Sequence, residues 1–503
     1  MNIGDSKQGS SLQAVLVTMC LQALTREAAT SDPDLREKVS GLHHTALLLI
    51  RQFLLGPSSK ALIPLQLETP LIGRLLSYLD RHDIYVQVAL LDTLYAALRL
   101  QMLRMSPSLG NNHRRTNSLE TVTSLSRLSL SIDRSEKEQH TPSPPSLPPQ
   151  LLNCLIAGLS SQSSRPILDS WILFLHNCLP LYQDTIFQVL IPLVECLCAN
   201  IREVFENLRS KFRLTDAEQA GDPEPVLMLL LNGLEQTLAR AHERLATEEA
   251  KAVTSKSPEQ PQGFFGNMVS GVFTPEISRS RTEFANRRLT VLLCFKDTVC
   301  LCYDIWSWGG HGFDGTNQDP ASVASFNYTS IRLRNRARRT MEHLFAAEAL
   351  ECLETLIELW RKSTATSTRS QSVSVFDLLH ALDGSRPKHT IPAVFNAIYT
   401  RTNPVALEPT RKSTLTSTLS DIELAAFLTL YARSVEDDAM DEIWNDCMTF
   451  LRDVLANPFP HRQTLPRLLE FAAILGEKVD NTIFGEQRRI RRDLAVSLYH
   501  NQN

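Results

Sequence analysis

Ten cysteines and thirteen histidines carry the side chains best able to ligate a metal or act as nucleophiles. Their spacing suits neither role. No Cys-x-x-Cys pair occurs; Cys196/Cys198 and Cys300/Cys302 stand two apart inside apolar runs that read as helix. Positions i and i+2 on a helix point to different sides, a poor geometry for one tetrahedral ion. These cysteines read as buried free thiols of a reducing compartment. His43 and His44 are adjacent, diverge by about 100° on a helix, and are expected on its surface. Gly309-Gly-His-Gly-Phe-Asp-Gly315 lacks the Lys-Ser/Thr of a phosphate loop, and no strand precedes it. It reads as a loop ending the helix at Trp306-Ser-Trp308. The zinc-protease, nucleophile-elbow, Walker A and dinucleotide fingerprints are all missing. The expectation is a non-enzymatic chain with no catalytic residue, no cofactor and no metal.

Chemistry for gripping other molecules is more visible. In Gly263-Phe-Phe-Gly-Asn-Met-Val-Ser-Gly-Val-Phe273, the residues Phe264, Phe265, Met268, Val269, Val272 and Phe273 recur at helical spacing. They form one bulky apolar face opposite small uncharged residues. Such a helix docks into a groove on its own fold or a partner, or inserts at a membrane interface. Trp306 and Trp308 are further docking candidates, or plain core. Arg332, Arg334, Arg336, Arg338 and Arg339 crowd eight residues, and Arg332, Arg336 and Arg339 share one helical face. That cluster suits an acidic protein surface or acidic lipid headgroups, or pairing with the chain's own carboxylates. A second cluster is Arg488, Arg489, Arg491 and Arg492. Lys+Arg total 51 against 55 Asp+Glu, a formal charge of −4, and no aromatic residues interleave the arginines for base stacking. Nucleic acid is not expected. Arg114-Arg-Thr-Asn-Ser118 resembles a basophilic kinase site, making Ser118 a phosphorylation candidate.

The elements that must carry these residues are helices. Hydrophobic residues make up 43% of the 503 and glycine numbers only 19, enough for a sizeable core and too few turn glycines for an all-β chain. Ile84, Val88, Leu91, Tyr95, Leu98 and Met102 make one stripe, with Asp83 as its N-cap. Ala346, Ala349, Leu350, Leu353, Leu356, Ile357 and Trp360 make another, with Glu348, Glu351, Glu354 and Glu358 on the opposite face. Leu465, Leu468, Leu469, Ala472, Leu475 and Val479 make a third. Asp32-Pro33 and the capping boxes Thr215-x-x-Glu218 and Ser420-x-x-Glu423 mark helix starts. The pattern predicts roughly 14 to 17 helices, many in short-linked pairs such as 420–434 and 436–456.

Such pairs bury their apolar faces only by stacking, so the expected fold is all-α, an α-solenoid of HEAT or armadillo type with disordered insertions. Helical repeats are expected over 1–104, 150–250 and 373–503. A disordered Ser/Pro-rich insertion covers 105–149, and a linker with a short amphipathic helix covers 251–282. Long helices with a glycine-rich break cover 283–361, and a linker covers 362–372. No uncharged apolar run reaches 18 residues, so the chain is expected to be cytosolic or bound at a membrane surface.

Gly263 through Pro275, with Asn286-Arg-Arg-Leu-Thr-Val-Leu-Leu-Cys-Phe-Lys-Asp-Thr-Val299 and Asp304-Ile-Trp-Ser-Trp-Gly309, resembles the core of Dopey-family proteins, filamentous-fungal members in particular. Phe484-Gly-Glu-Gln-Arg-Arg-Ile-Arg-Arg-Asp-Leu494 resembles that family's C-terminal region. The resemblance implies a peripheral scaffold on the cytosolic face of Golgi and endosome membranes. It implies partners: a Sec7-related scaffold and, through it, a phospholipid flippase, with a role in fungal polarity and development. Set against that family, the chain is expected to be a C-terminal-region fragment without the long N-terminal domain. The competing reading is a generic helical-repeat adaptor unrelated to Golgi traffic.

Overall fold

The computed structural model describes residues 12–26, 33–81, 83–105, 147–213, 223–254, 275–308, 310, 320–365, 369–408 and 411–481. Ser118, Phe264, Phe265, Met268, Val269, Val272, Phe273 and the Arg488–Arg492 cluster lie outside the described residues. The described chain is all-α: fifteen α-helices, short 3-10 turns and no strand. It divides into two compact units, Met1–Thr185 and Ile186–Asn503.

The first unit holds α1 (Leu12–Thr25), α2 (Pro33–Leu55), α3 (Glu68–Tyr78), α4 (Ile84–Met105), α5 (Gln150–Ser160) and α6 (Leu168–Tyr182). The second holds α7 (Ile186–Arg213), α8 (Pro223–Thr254), α9 (Pro275–Trp308), α10 (Pro320–Ala365), α11 (Arg369–Ala381), α12 (Pro387–Thr402), α13 (Asp421–Ser434), α14 (Met440–Ala456) and α15 (Leu465–Asp480). Five of these helices open on proline, whose missing N–H costs nothing at a first helical position and whose fixed φ suits it.

In the first unit α1 packs on α2, α2 on α4, α3 on α4 and α5, and α4 and α5 on α6. In the second, α7 packs on α8 and α9, α9 on α10, α10 on α11 and α12, and α12 on α13 and α14. Main partners are mostly the next helix or the next but one. That local, repeating contact pattern is the α-solenoid expected from the apolar stripes. The pairing differs in one detail. α13 and α14 are joined by a short turn, yet α13 packs chiefly on α15 and α12, and α14 on α12 and α15. Buried residues on more than one side of α13, such as Ala425 and Phe427, favour stacking across repeats over closing a hairpin.

α4 is buried on more than its predicted stripe. Leu91 and Leu98 are core, but so are Val86, Leu90, Leu94 and Leu100, because α2, α3 and α6 all pack against it. Asp83 caps it as expected, accepting from Val86 N–H at 3.2 Å. His43 corrects the surface expectation. It is 0% exposed, with Nδ1 against Tyr78 Oη and Nε2 3.1 Å from the Ala23 carbonyl. It therefore ties α2 to α3 and α1. No single described helix is long and apolar enough to cross a membrane.

The Ser420 box forms as read. Ser420 Oγ accepts from Glu423 N–H at 3.2 Å, and Glu423 Oε2 accepts from Ser420 N–H at 2.8 Å. Burial pushes the Glu423 carboxyl up, but the Ser420 hydrogen bonds and Arg361 outweigh it and hold the pKa below the usual carboxylate range. Ser420→Ala is expected to destabilise the second unit by about 1 kcal/mol, read as a lower urea midpoint at unchanged slope.

All ten cysteines are free thiols, and eight are buried. Burial pushes Cys154, Cys198 and Cys294 up to about 12 and Cys300 up to about 11, leaving almost no thiolate at neutral pH. With Ellman's reagent at pH 8, Cys20 is expected to react first and the half-exposed Cys300 slowly. The other eight should titrate only in denaturant; fast labelling of more than two thiols in the native protein would contradict this packing.

Candidate functional site

The arginine cluster sits on α10, and packing against α8, α9 and α11 decides what it touches. Arg332 Nη1 lies 2.7 Å from Glu224 Oε1, and Arg336 pairs with Glu235; both carboxylates belong to α8. Arg334 stacks over the Trp306 ring, 4.5 Å from its centre. Arg338 Nη1 donates to the Ala381 carbonyl at 3.2 Å and lies 3.4 Å from Glu342. Arg339 is exposed. Four of the five arginines named for an acidic partner or lipid thus hold α10 to its neighbours or to itself. Three of them, Arg332, Arg336 and Arg338, have a carboxylate in ion-pair range.

The tryptophans are used the same way. Trp306 is 5% exposed. The Trp308 ring meets Phe205, Phe212 and Phe326 at centroid distances of 5.5, 6.0 and 5.0 Å, two of them edge to face. This cluster joins α7, α9 and α10. The two tryptophans offered as docking residues therefore dock inside the fold. α9 ends at Trp308, and Gly310 N–H closes a turn on Ser307 O at 3.0 Å.

A denser polar site lies on the second half of α10. Glu351, Glu354 and Glu358, read from sequence as the charged face, are 5%, 1% and 6% exposed. They are covered by the strap 411–420, which links the end of α12 to α13. Thr414 N–H and Oγ1 both donate to Glu351 Oε1 at 2.8 Å, and Thr416 Oγ1 donates to Glu351 Oε2 at 3.0 Å. Ser417 Oγ donates to Glu354, which Arg401 grips with two bonds of 3.1 and 2.8 Å. Thr418 Oγ1 accepts from Arg361 at 2.9 Å and faces Glu358 at 3.4 Å. Lys296 of α9 completes the row, 2.8 Å from Glu358. Burial pushes Glu358 up, but Lys296 outweighs it and holds the carboxyl below its ordinary pKa. Leu415 lies in the strap at φ 57°, in the left-handed region.

A cleft of about 420 Å³ opens between α12 and α14, lined by Phe395, Tyr399, Phe450, Asp446, Asp453 and His461 among others. Phe395 and Phe450 stack at 3.9 Å, and Tyr399 Oη donates to Asp453 at 3.5 Å. Val405 and Phe459, 90% and 83% exposed, lie within two residues of its lining. Among the described residues no group of His, Cys, Asp and Glu is arranged to hold a metal ion. The polar geometry fixes helices and loops to one another.

Two family models match the sequence: "DOP1 TPR domain" over residues 76–238 and "DOP1 C-terminal" over residues 427–499. Protein dop1 of Emericella nidulans is 50% identical over 495 residues, covering 98% of this chain and 26% of that protein. The chain belongs to the Dopey family. Protein DOP1 of Saccharomyces cerevisiae is a more distant Dopey relative, 30% identical over 359 residues, covering 68% of this chain and 20% of that protein. The chain thus spans about a quarter or less of these curated Dopey relatives. A solved circular tandem-repeat protein aligns over 97% of the chain at 10% identity with a TM-score of 0.22, too slight a likeness to bear on the fold.

Proposed function

We propose that this Dopey-family chain is part of a non-enzymatic peripheral scaffold in vesicle-mediated protein transport between Golgi and endosomes. It acts on the cytosolic face of those membranes with a Sec7-related scaffold partner and, through it, a phospholipid flippase. In a fungus that traffic feeds cell polarity and development. The observation that carries the reading is 50% identity to Protein dop1 of Emericella nidulans sustained over 98% of the chain. The helical-repeat fold suits it, since stacked helices present long surfaces to other proteins. Four of the five α10 arginines are engaged within the fold, so membrane association through the protein partner fits better than direct capture of acidic lipid by that cluster.

The test is to tag the endogenous protein, image it against Golgi and endosome markers, and identify co-purifying proteins. The expected result is a Golgi–endosome pattern with a Sec7-related scaffold and a flippase enriched. A diffuse signal with neither partner would sink the trafficking role and leave a generic helical-repeat adaptor.

A further inference from the structure

The hydroxyls of the strap do an unusual job, and one of them stands in a sequence that a kinase can read. Glu351 is 5% exposed and has no ion pair among the described residues. Its charge is satisfied by three donors from the strap: Thr414 N–H, Thr414 Oγ1 and Thr416 Oγ1. The neighbouring carboxylates differ, because Arg401 neutralises Glu354 and Lys296 neutralises Glu358. The strap is also bent at Leu415, a non-glycine residue at φ 57°. Such a conformation persists only while bonds on both sides hold it. Thr414 itself is exposed and lies in non-helical backbone. It follows Arg411-Lys-Ser, with arginine three residues and lysine two residues before it.

We propose that Thr414 is a phosphorylation site and that its phosphate unlatches the strap from α10. An arginine-directed protein kinase transfers the γ-phosphoryl group of ATP to Thr414 Oγ1. The bond from phosphorus to the ADP oxygen breaks, the bond to Oγ1 forms, and the hydroxyl proton leaves. Thr414 then no longer donates through Oγ1, and roughly two negative charges arrive beside a carboxylate without a cation. Like-charge repulsion and the lost donor act in the same direction, and the bend at Leu415 loses one of its anchors. The chain contains its own control. Arg361-Lys-Ser-Thr364 repeats the tetrapeptide inside α10, where Thr364 Oγ1 donates back to the Arg361 carbonyl at 2.8 Å. A kinase cleft that needs extended backbone is expected to pass it over.

The experiment uses the full chain, MgATP and the catalytic subunit of protein kinase A. Phosphosites are mapped by mass spectrometry, followed by hydrogen exchange on peptides covering 411–420. Thr414 is expected to be occupied several-fold more than Thr364, and amide exchange across 413–419 to speed up about tenfold, with α7 unchanged. Thr414→Glu should reproduce part of the acceleration. Thr414→Ala, which loses the hydroxyl without adding charge, should give clearly less. Glu351→Gln combined with Thr414→Glu should return the rate toward that of Thr414→Ala. The proposal is overturned if Thr414 stays unmodified. It is equally overturned if Thr414→Glu exchanges no faster than Thr414→Ala, as it would were Arg411 and Lys412 simply to neutralise the charge, or if α7 loosens with the strap.

Discussion

Arg401→Ala is expected to destabilise the second unit by about 3–5 kcal/mol, the cost of stranding a buried charge. Glu354 is 1% exposed, and its two oxygens are held by the Arg401 guanidinium at 3.1 and 2.8 Å. Arg401 Nε also donates to the Leu419 carbonyl at 2.8 Å, so the same side chain seats the end of the strap. Truncating it leaves a carboxylate with one hydroxyl donor and no cation in contact. Replacing both partners, as Glu354→Leu/Arg401→Met, removes the charge along with its counter-charge and is expected to recover most of the loss. Equilibrium urea unfolding of the three proteins separates the cases. A single mutant within about 1 kcal/mol of wild type would mean that water reaches Glu354.

The second large effect belongs to the first unit. Trp171 is 0% exposed and lies against α5 where the chain has Gly158. A Cβ placed on Gly158 would sit 2.2 Å from the indole ring, so the ring occupies the space a side chain would need. Trp171→Ala is expected to cost about 3–5 kcal/mol, combining lost burial with an unfilled cavity. Gly158→Ala fails in the opposite sense, by overpacking, and is expected to cost about 1–3 kcal/mol. Gly158→Leu in the Trp171→Ala background should regain part of the loss, because one side chain then fills the space the other vacated. Thermal unfolding followed by near-ultraviolet circular dichroism reads all three. A double mutant no more stable than Trp171→Ala would refute the shared space.

These two sites mark where the sequence was legible and where it was not. The helical class followed from apolar residues every third or fourth position, and Ser420-x-x-Glu423 announced its own cap because both partners lie within one turn. Local signals of that kind survive folding. Glu351, Glu354 and Glu358 carried a misleading one. Acidic residues at helical spacing opposite an apolar stripe normally face water, and their donors lie about sixty positions later. The one available hint was Ser413-Thr-Leu-Thr-Ser-Thr-Leu-Ser420, where only the two leucines lack a hydroxyl. For Arg332 and Arg336 the sequence left an outside acidic partner and the chain's own carboxylates both open, since Glu224 and Glu235 are about a hundred residues upstream. Gly158 left no trace at all: a glycine within a helix looks like a weakness until the ring opposite it is known.

α10 runs for 46 residues, yet Glu348 within it has φ −145° and ψ 71°, outside helical values. Mechanically it is two rods meeting at a joint. Each residue of an unbroken helix turns the next by about 100°. One residue inserted at position 355 would therefore swing Glu358 away from Lys296, while Arg332 and Arg336 stayed put. At the joint the backbone has already left the helical path, and a length change there can be taken up without re-indexing either rod. The two halves can accordingly drift independently over evolution, the first answering to α8 and the second to the segment laid across it.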